Sequence, residues 1–246
     1  MGLTDDKYMK KLVIILIVTT LFLLSTPVFA SGYVPTSPKA KQIVSNVEPD
    51  LIQSLHSKGL EYGSPIFIRI FKETKELEVW VQDQHVFKHF KTYKICNFAG
   101  GFGPKQKQGD KQSPEGFYRV TPGRLNPYSS YHLSFNLGYP NQYDQQFGRT
   151  GGALMIHGNC GSRGCYAMTD ERIEEIYALV EASLRNGQRY VPVHAFPFKL
   201  TENKLEKHKE SQWYTFWKNL KKGYDYFEER RFPPVVMTGD REYVFY

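Results

Sequence analysis

Apolar and polar residues alternate along two neighbouring stretches, "PIFIRIFK" (65–72) and "ELEVWVQ" (76–82), with "ETK" between them. A period of two predicts β-strands joined by a turn. "HVFKHFKTYKIC" (85–96) continues the pattern, so the three predict a meander. Upstream, the period differs. Pro49 near a start, Leu51, Ile52 and Leu55 on one face, and Gly59 as a stop predict a short helix. It follows a stretch, 31–45, whose Pro, Ser and Lys residues predict a flexible linker.

Further along, 98–114 is rich in Gly, Lys and Gln and predicts a loop. "EGFYRVT" predicts a short strand, "PGRLNPYSS" a loop, "YHLSFNLGYP" a strand, and "GALMIHG" a brief buried strand. Thr169 or Asp170 can then cap a helix, with Glu171 suited to its positive end. Ile173, Ile176, Tyr177, Val180 and Leu184 keep helical spacing until Gly187. "RYVPVHAFPF" returns to strand. The tail predicts helix from Thr201 through Lys221, then "GYDYFEERRFPP" and a last strand, "EYVFY".

The hydropathy of the N-terminus predicts a targeting segment. A basic "KYMKK" precedes an apolar run from Leu12 to Leu24, and Val28 and Ala30 are small residues placed for cleavage. The run of about 13 residues is short against the roughly 20 of a membrane-spanning helix. A signal peptide cleaved after Ala30 is expected, with an uncleaved anchor as the alternative and Met9 as an alternative start. The expected product is periplasmic, touching a membrane only through that segment. The divisions expected are 1–30 signal peptide, 31–63 linker and short helix, 64–199 catalytic domain, and 200–246 helical extension packed on it.

Charge and cysteine content then narrow the chemistry. The chain carries a formal charge of +7, and removing three Lys and two Asp with residues 1–30 leaves +6. A mildly basic exported protein suits acidic envelope surfaces, while no basic run points to nucleic acid. The three cysteines are Cys96, Cys160 and Cys165. In an oxidising compartment an odd count leaves at least one free thiol, and catalysis is one reason to keep it.

The densest chemistry lies in "MIHGNCGSRGCYAMTDERI" (155–173). Cys165 stands a few residues before a helix start, where unpaired N–H groups favour a thiolate. Gly164 permits a sharp turn that gathers N–H groups around a bound carbonyl. His157 ends a strand, and a hairpin-like return would bring it beside Cys165 as a base. Other readings of the same residues stand: a Cys160–Cys165 disulfide, a zinc site on His157, Cys160 and Cys165, or a buried thiol. The zinc reading lacks a fourth ligand at a standard spacing.

"MIHG" followed by "SRGCYAMTD" resembles the active-site signature of the YkuD-type L,D-transpeptidases, and more narrowly its YafK-like branch. "SPIFIRIFKETKELEVWV", "GGFGPKQKQGDKQSPEGFY" and "FWKNLKKGYDYFEERRFPP" are similar to that branch as well, so the resemblance runs from about Leu51 to the C-terminus. It implies an α+β, mainly β, sandwich-like catalytic domain with flanking helices. It implies Cys165 as nucleophile and His157 as its base. Arg163, Gly164 and Cys165 would supply oxyanion N–H groups, with Ser162 and Gly158 in support. Arg163 replaces the family's usual second histidine, and Ala167 an arginine. Arg163 is then either a contact for a substrate carboxylate or a solvated side chain. Cys160 is expected to be a structural thiol or a partner of Cys96, and "GDKQSPEGFY" a wall of the cleft. No metal or cofactor is expected.

The implied function is cysteine acyl transfer on peptidoglycan stem peptides through a thioester at meso-diaminopimelate. The alternatives are a hydrolase of the same family, either a carboxypeptidase or an amidase releasing peptidoglycan-bound lipoprotein, and a non-catalytic envelope-binding module with structural cysteines.

Overall fold

The computed structural model describes residues 33–246. The alternating stretches form the expected meander: β1 (Ile66–Phe71), β2 (Glu76–Asp83) and β3 (Val86–Lys94) pair antiparallel. β4 (Gly116–Val120) and β9 (Val191–Phe196) complete a five-stranded sheet in the order β3-β2-β1-β9-β4, with β9 parallel to β1. A second sheet has the order β5-β6-β7-β8, from Leu125–Asn126, Ser134–Asn136, Met155–His157 and Tyr166–Ala167. The helices are α1 (Pro38–His56), α2 (Gln142–Gln146), α3 (Asp170–Arg185), α4 (Glu202–Glu206) and α5 (Tyr214–Arg230).

One apolar core joins the two sheets. Ile68, Ile70 and Val79 meet Phe135, Ile156 and Tyr166, with Ile173, Ile176 and Val180 of α3 packed among them. This is the mixed α and β arrangement, two sheets with flanking helices, that the sequence implied. Thr169 caps α3, its side chain accepting from the Arg172 N–H.

The period of two in β1 predicts one solvated face, yet all six residues are buried, Arg69 included. The reason is α5. Its Trp217, Leu220 and Tyr224 form an aromatic layer with Phe71, Phe117, Phe196 and Phe198 on the outer face of the sheet. The Arg69 guanidinium pairs with Glu228 Oε1 of α5 at 2.7 Å, which compensates its desolvation.

Two expectations need correction. α1 begins at Pro38, inside the expected linker, so Pro49 lies within the helix and not near its start. Ser37 Oγ accepts the Ala40 N–H at 3.0 Å, and Pro38 fills the first turn, where an amide N–H has no partner to lose. The tail is two helices, and α5 runs nine residues past Lys221, to Arg230. The expected last strand is present as β11 (Glu242–Phe245), and it pairs in a hairpin with β10 (Val236–Gly239).

The expected signal peptide and its cut after Ala30 lie outside the described residues. Among the described residues no helix is long and apolar enough to cross a membrane.

Candidate active site

β7 carries the histidine and sets the position of the cysteine. It pairs antiparallel with β6, His157 opposite Ser134, and parallel with β8, Ile156 opposite Tyr166. The connection 158–165 is therefore a short crossover between parallel neighbours, not the hairpin-like return that was expected. Cys165 immediately precedes β8 and lies against the start of β7. Its Sγ accepts the Met155 N–H at 3.3 Å and donates to the Ala153 carbonyl at 3.7 Å.

Two glycines make this crossover possible. Gly164 has φ +148°, a conformation that L side chains rarely adopt. A Cβ on Gly158 would stand 2.5 Å from Asp170 Oδ1 and 3.0 Å from His132 Cβ. Asp170 Oδ1 also accepts the Asn159 N–H at 2.8 Å, and His132 Nε2 meets Glu174 Oε1 at 2.7 Å, so the start of α3 clamps the turn after His157.

The disulfide alternatives are resolved. Cys96 and Cys160 are bonded, with Cα atoms 5.2 Å apart, and Cys165 is free. The bridge ties the end of β3 to the crossover. Cys96 N–H and Asn97 N–H both donate to the Ala167 carbonyl, at 2.9 and 3.1 Å, and fix the same junction. This pairing removes the Cys160–Cys165 bridge and the shared zinc site as readings.

Both functional side chains face one cleft of about 970 Å³, whose lining includes Lys105, Lys111, Tyr131, His157, Arg163 and Cys165. His157 is buried, and its Nδ1 lies 2.5 Å from the Gly158 carbonyl. A carbonyl only accepts, so Nδ1 carries the proton and the lone pair sits on Nε2. Tyr131, 48 % exposed, covers the imidazole with ring centroids 4.8 Å apart. Burial lowers the His157 pKa, and the bond to Gly158 opposes this. Burial raises the Cys165 pKa, opposed by the Met155 N–H and the Lys105 charge. Both shifts favour the uncharged forms, thiol and imidazole, and at Cys165 desolvation opposes the thiolate expected from the following helix.

Ser162 does more than support. Its Oγ donates to the Cys165 carbonyl at 2.6 Å and accepts the Gly164 N–H at 3.1 Å. The expected oxyanion role of Gly164 is corrected accordingly: its N–H is taken, while those of Arg163 and Cys165 have no partner among the described residues. Arg163 is exposed at the cleft and makes no ion pair among the described residues. Ala167 is fully buried in β8.

The expected cleft wall is there and is firmly held. Ser113 Oγ donates to the Cys165 carbonyl at 3.3 Å and accepts the Ala99 N–H. Behind it lies a buried ion pair, Lys72 Nζ to Glu115 Oε1 at 3.0 Å. Lys72 also donates to the Gly101 and Gly103 carbonyls, and Glu115 Oε2 accepts the Trp217 indole N–H at 2.9 Å. The glycine-rich loop is thereby pinned between β1 and α5. The sequence reading missed Lys105, Tyr131 and Ser113, as well as Lys72 and Glu115. Only the position of Ser113, beside Pro114 in the "QSPEG" turn, gave any local signal.

The profile of the YkuD L,D-transpeptidase catalytic domain matches residues 65–194, which include β1, the wall, His157 and Cys165. The chain belongs to this family. Members of the YkuD family act on peptidoglycan. The chain is 47 % identical over 182 residues to the Escherichia coli K12 protein named "Putative L,D-transpeptidase YafK", covering 74 % of each chain. Among solved structures it is similar to the helical cell shape determining protein Pgp2 of Campylobacter jejuni (K307A mutant). That similarity has a TM-score of 0.45 and 23 % identity, and covers 74 % of this chain and 61 % of that one. The chain thus spans about three-fifths of Pgp2. Bd1075 of Bdellovibrio bacteriovorus matches at a TM-score of 0.39 and 19 % identity, over 65 % of this chain and 71 % of that one.

Proposed function

We propose that the protein is a periplasmic cysteine acyl-transfer enzyme that opens peptidoglycan stem peptides at an L,D-amide bond. The observation that carries this reading is the single unpaired thiol, Cys165, in the same cleft as His157 Nε2. In the reaction His157 Nε2 takes the Cys165 proton as Sγ bonds to the substrate carbonyl carbon. The oxyanion that forms accepts the N–H groups of Arg163 and Cys165. The C–N bond then breaks, and the His157 imidazolium returns its proton to the departing amine, a D-alanine in a tetrapeptide stem. A thioester on Cys165 remains. An incoming amine makes a crosslink or attaches a protein; water makes the same site a carboxypeptidase or an amidase that detaches a lipoprotein.

Product mass spectrometry tests the reading. Purified protein and its Cys165→Ala variant are incubated with meso-diaminopimelate tetrapeptide muropeptides and with sacculi bearing bound lipoprotein. Crosslinked dimers made by the unmodified protein alone are expected for a transferase. Shortened stems or released lipoprotein assign hydrolysis. No product from either substrate, or equal product from Cys165→Ala, counts against the enzyme and for a binding module.

A further inference from the structure

A second cleft, of about 590 Å³, shares no lining residue with the one around Cys165. It lies between the edge strand β4, the segment 138–145 and the stretch leading into the C-terminal hairpin. Three arginines line it, Arg119, Arg124 and Arg189, and no Asp or Glu does. None of the three pairs with a carboxylate among the described residues.

What marks this cleft is three arginines on one wall with no carboxylate among its lining residues. Among the described residues the buried Lys and Arg side chains are paired, Lys72 with Glu115, Arg69 with Glu228, Arg149 with Asp144 and Lys105 with Asp110, whereas in the second cleft Arg124 is half-buried and Arg119 and Arg189 are exposed, all without a carboxylate. In the second cleft Arg119 and Arg124 are each held by one guanidinium nitrogen and keep other donors free, and Arg189 is unbonded. Arg119 lies over the Tyr190 ring at 4.7 Å and gives one Nη2 donor to the Val236 carbonyl at 2.6 Å. Arg124 donates through Nη1 to the Leu137 and Arg119 carbonyls, and its Nε and Nη2 have no partner among the described residues. Burial lowers the Arg124 pKa. Arg189 is exposed, and its side chain makes no hydrogen bond among the described residues.

Two of the lining amides are engaged within the fold. Asn141 is bonded to the Phe117 carbonyl and the Tyr243 hydroxyl, and Gln188 to both backbone groups of Ile66. Part of the remaining wall is apolar and exposed, with Phe232, Val235 and Met237, beside the polar Gln142 and Thr238. Planar guanidinium forks match carboxylates in two-point hydrogen bonding. A cleft of this volume accommodates a few residues of a ligand, with the apolar wall along its body.

We infer that this second cleft is a non-catalytic binding site for a short carboxylate-bearing peptide. On the function proposed above, its occupant is a stem peptide of the same polymer, held away from Cys165 so that the enzyme stays on its substrate between turnovers.

The test is binding in the Cys165→Ala background, where no turnover occurs. The probes are purified sacculi, sacculi whose carboxyls are amidated with glycinamide, and a soluble meso-diaminopimelate tetrapeptide. Arg189→Glu and, separately, Arg119→Gln are expected to weaken binding to native sacculi about tenfold, and amidation to do the same to the parent protein. Arg189 is exposed and unbonded, so its variant is expected to melt with the parent; Cys165 alkylation in the otherwise unmodified chain should keep its rate in both. Binding to the soluble peptide alone would make free peptides the occupant. Unchanged sacculus and peptide binding by both variants, equal binding to amidated sacculi, or no binding to either probe would overturn the inference. The two readings fail separately: lost binding without any stem turnover leaves this site standing, and stem turnover with unchanged variants leaves only the enzyme.

Discussion

Around Cys165, each functional group is fixed by backbone groups close to it. Sγ lies between the Met155 N–H and the Ala153 carbonyl, His157 Nδ1 is held by Gly158, and the crossover is tied by a disulfide and by Ser162. In the second cleft Arg119 and Arg124 are each held at one guanidinium nitrogen, Arg189 is unbonded, and all three retain open donors. Covalent chemistry needs atoms held within a narrow geometry, whereas retention of a flexible polymer needs charge and reach. The two clefts differ along that line, though one fold supports both. Lys105 shows the contrast within the catalytic cleft, since its ammonium is already paired with Asp110 and acts on Cys165 only as a background charge.

Removing the nucleophile sharpens the comparison most. Cys165→Ala is expected to abolish turnover while the melting temperature stays within a few degrees and sacculus binding through the second cleft persists. His157→Ala comes next, lowering kcat/KM by about 10²–10⁴-fold in a steady-state assay. The pH profile carries a sign. Because burial lowers His157, Nε2 is free throughout the neutral range and is protonated only as pH falls below the ordinary histidine value of 6.5. The acid limb of kcat/KM should therefore be centred below 6.5. A limb at or above that value would contradict the burial argument. The raised thiol should likewise make Cys165 alkylation by iodoacetamide climb with pH beyond the ordinary cysteine value of 9.0.

Stability changes rank below these. Lys72→Met leaves Glu115 buried without its cation and is expected to cost about 3–5 kcal/mol, read by urea unfolding. It should loosen the glycine-rich wall, so turnover falls while the second cleft still binds. Replacing Cys96 and Cys160 together by Ser should cost about 2–4 kcal/mol, with a matching drop on adding reductant to the unmodified protein. Equal stability with and without reductant would deny the bridge a structural role. The smallest effect expected is from Arg163→Ala, a rise of about a few-fold in KM for a stem with a free carboxylate and none for its amide.

What the sequence made legible followed local rules. β1 to β3 showed a period of two, α3 showed helical spacing behind Thr169, and His157 and Cys165 stood in a dense motif. Strands of two or three residues, such as β5 and β8, are too short for any period to register. α1 was half-hidden because its first turns are polar and Pro49 reads as a start; the Ser37–Pro38 pair was the usable signal. The full burial of β1 depends on α5, roughly 145 residues later in the chain. The same holds for Lys72 and Glu115 and for the three arginines, whose meaning arises only when distant strands bring them together. The disulfide was readable as a possibility, and the choice of partner required the β3–β8 junction.

Intact-protein mass spectrometry under acid quench tests the central claim most directly. Mixed with a meso-diaminopimelate tetrapeptide, the unmodified protein should gain the mass of the stem less D-alanine, and peptide mapping should place it on Cys165. The adduct should be absent from Cys165→Ala and slow to form in His157→Ala. An adduct on any other residue, or substrate turnover with the Cys165 thiol absent, would contradict the account.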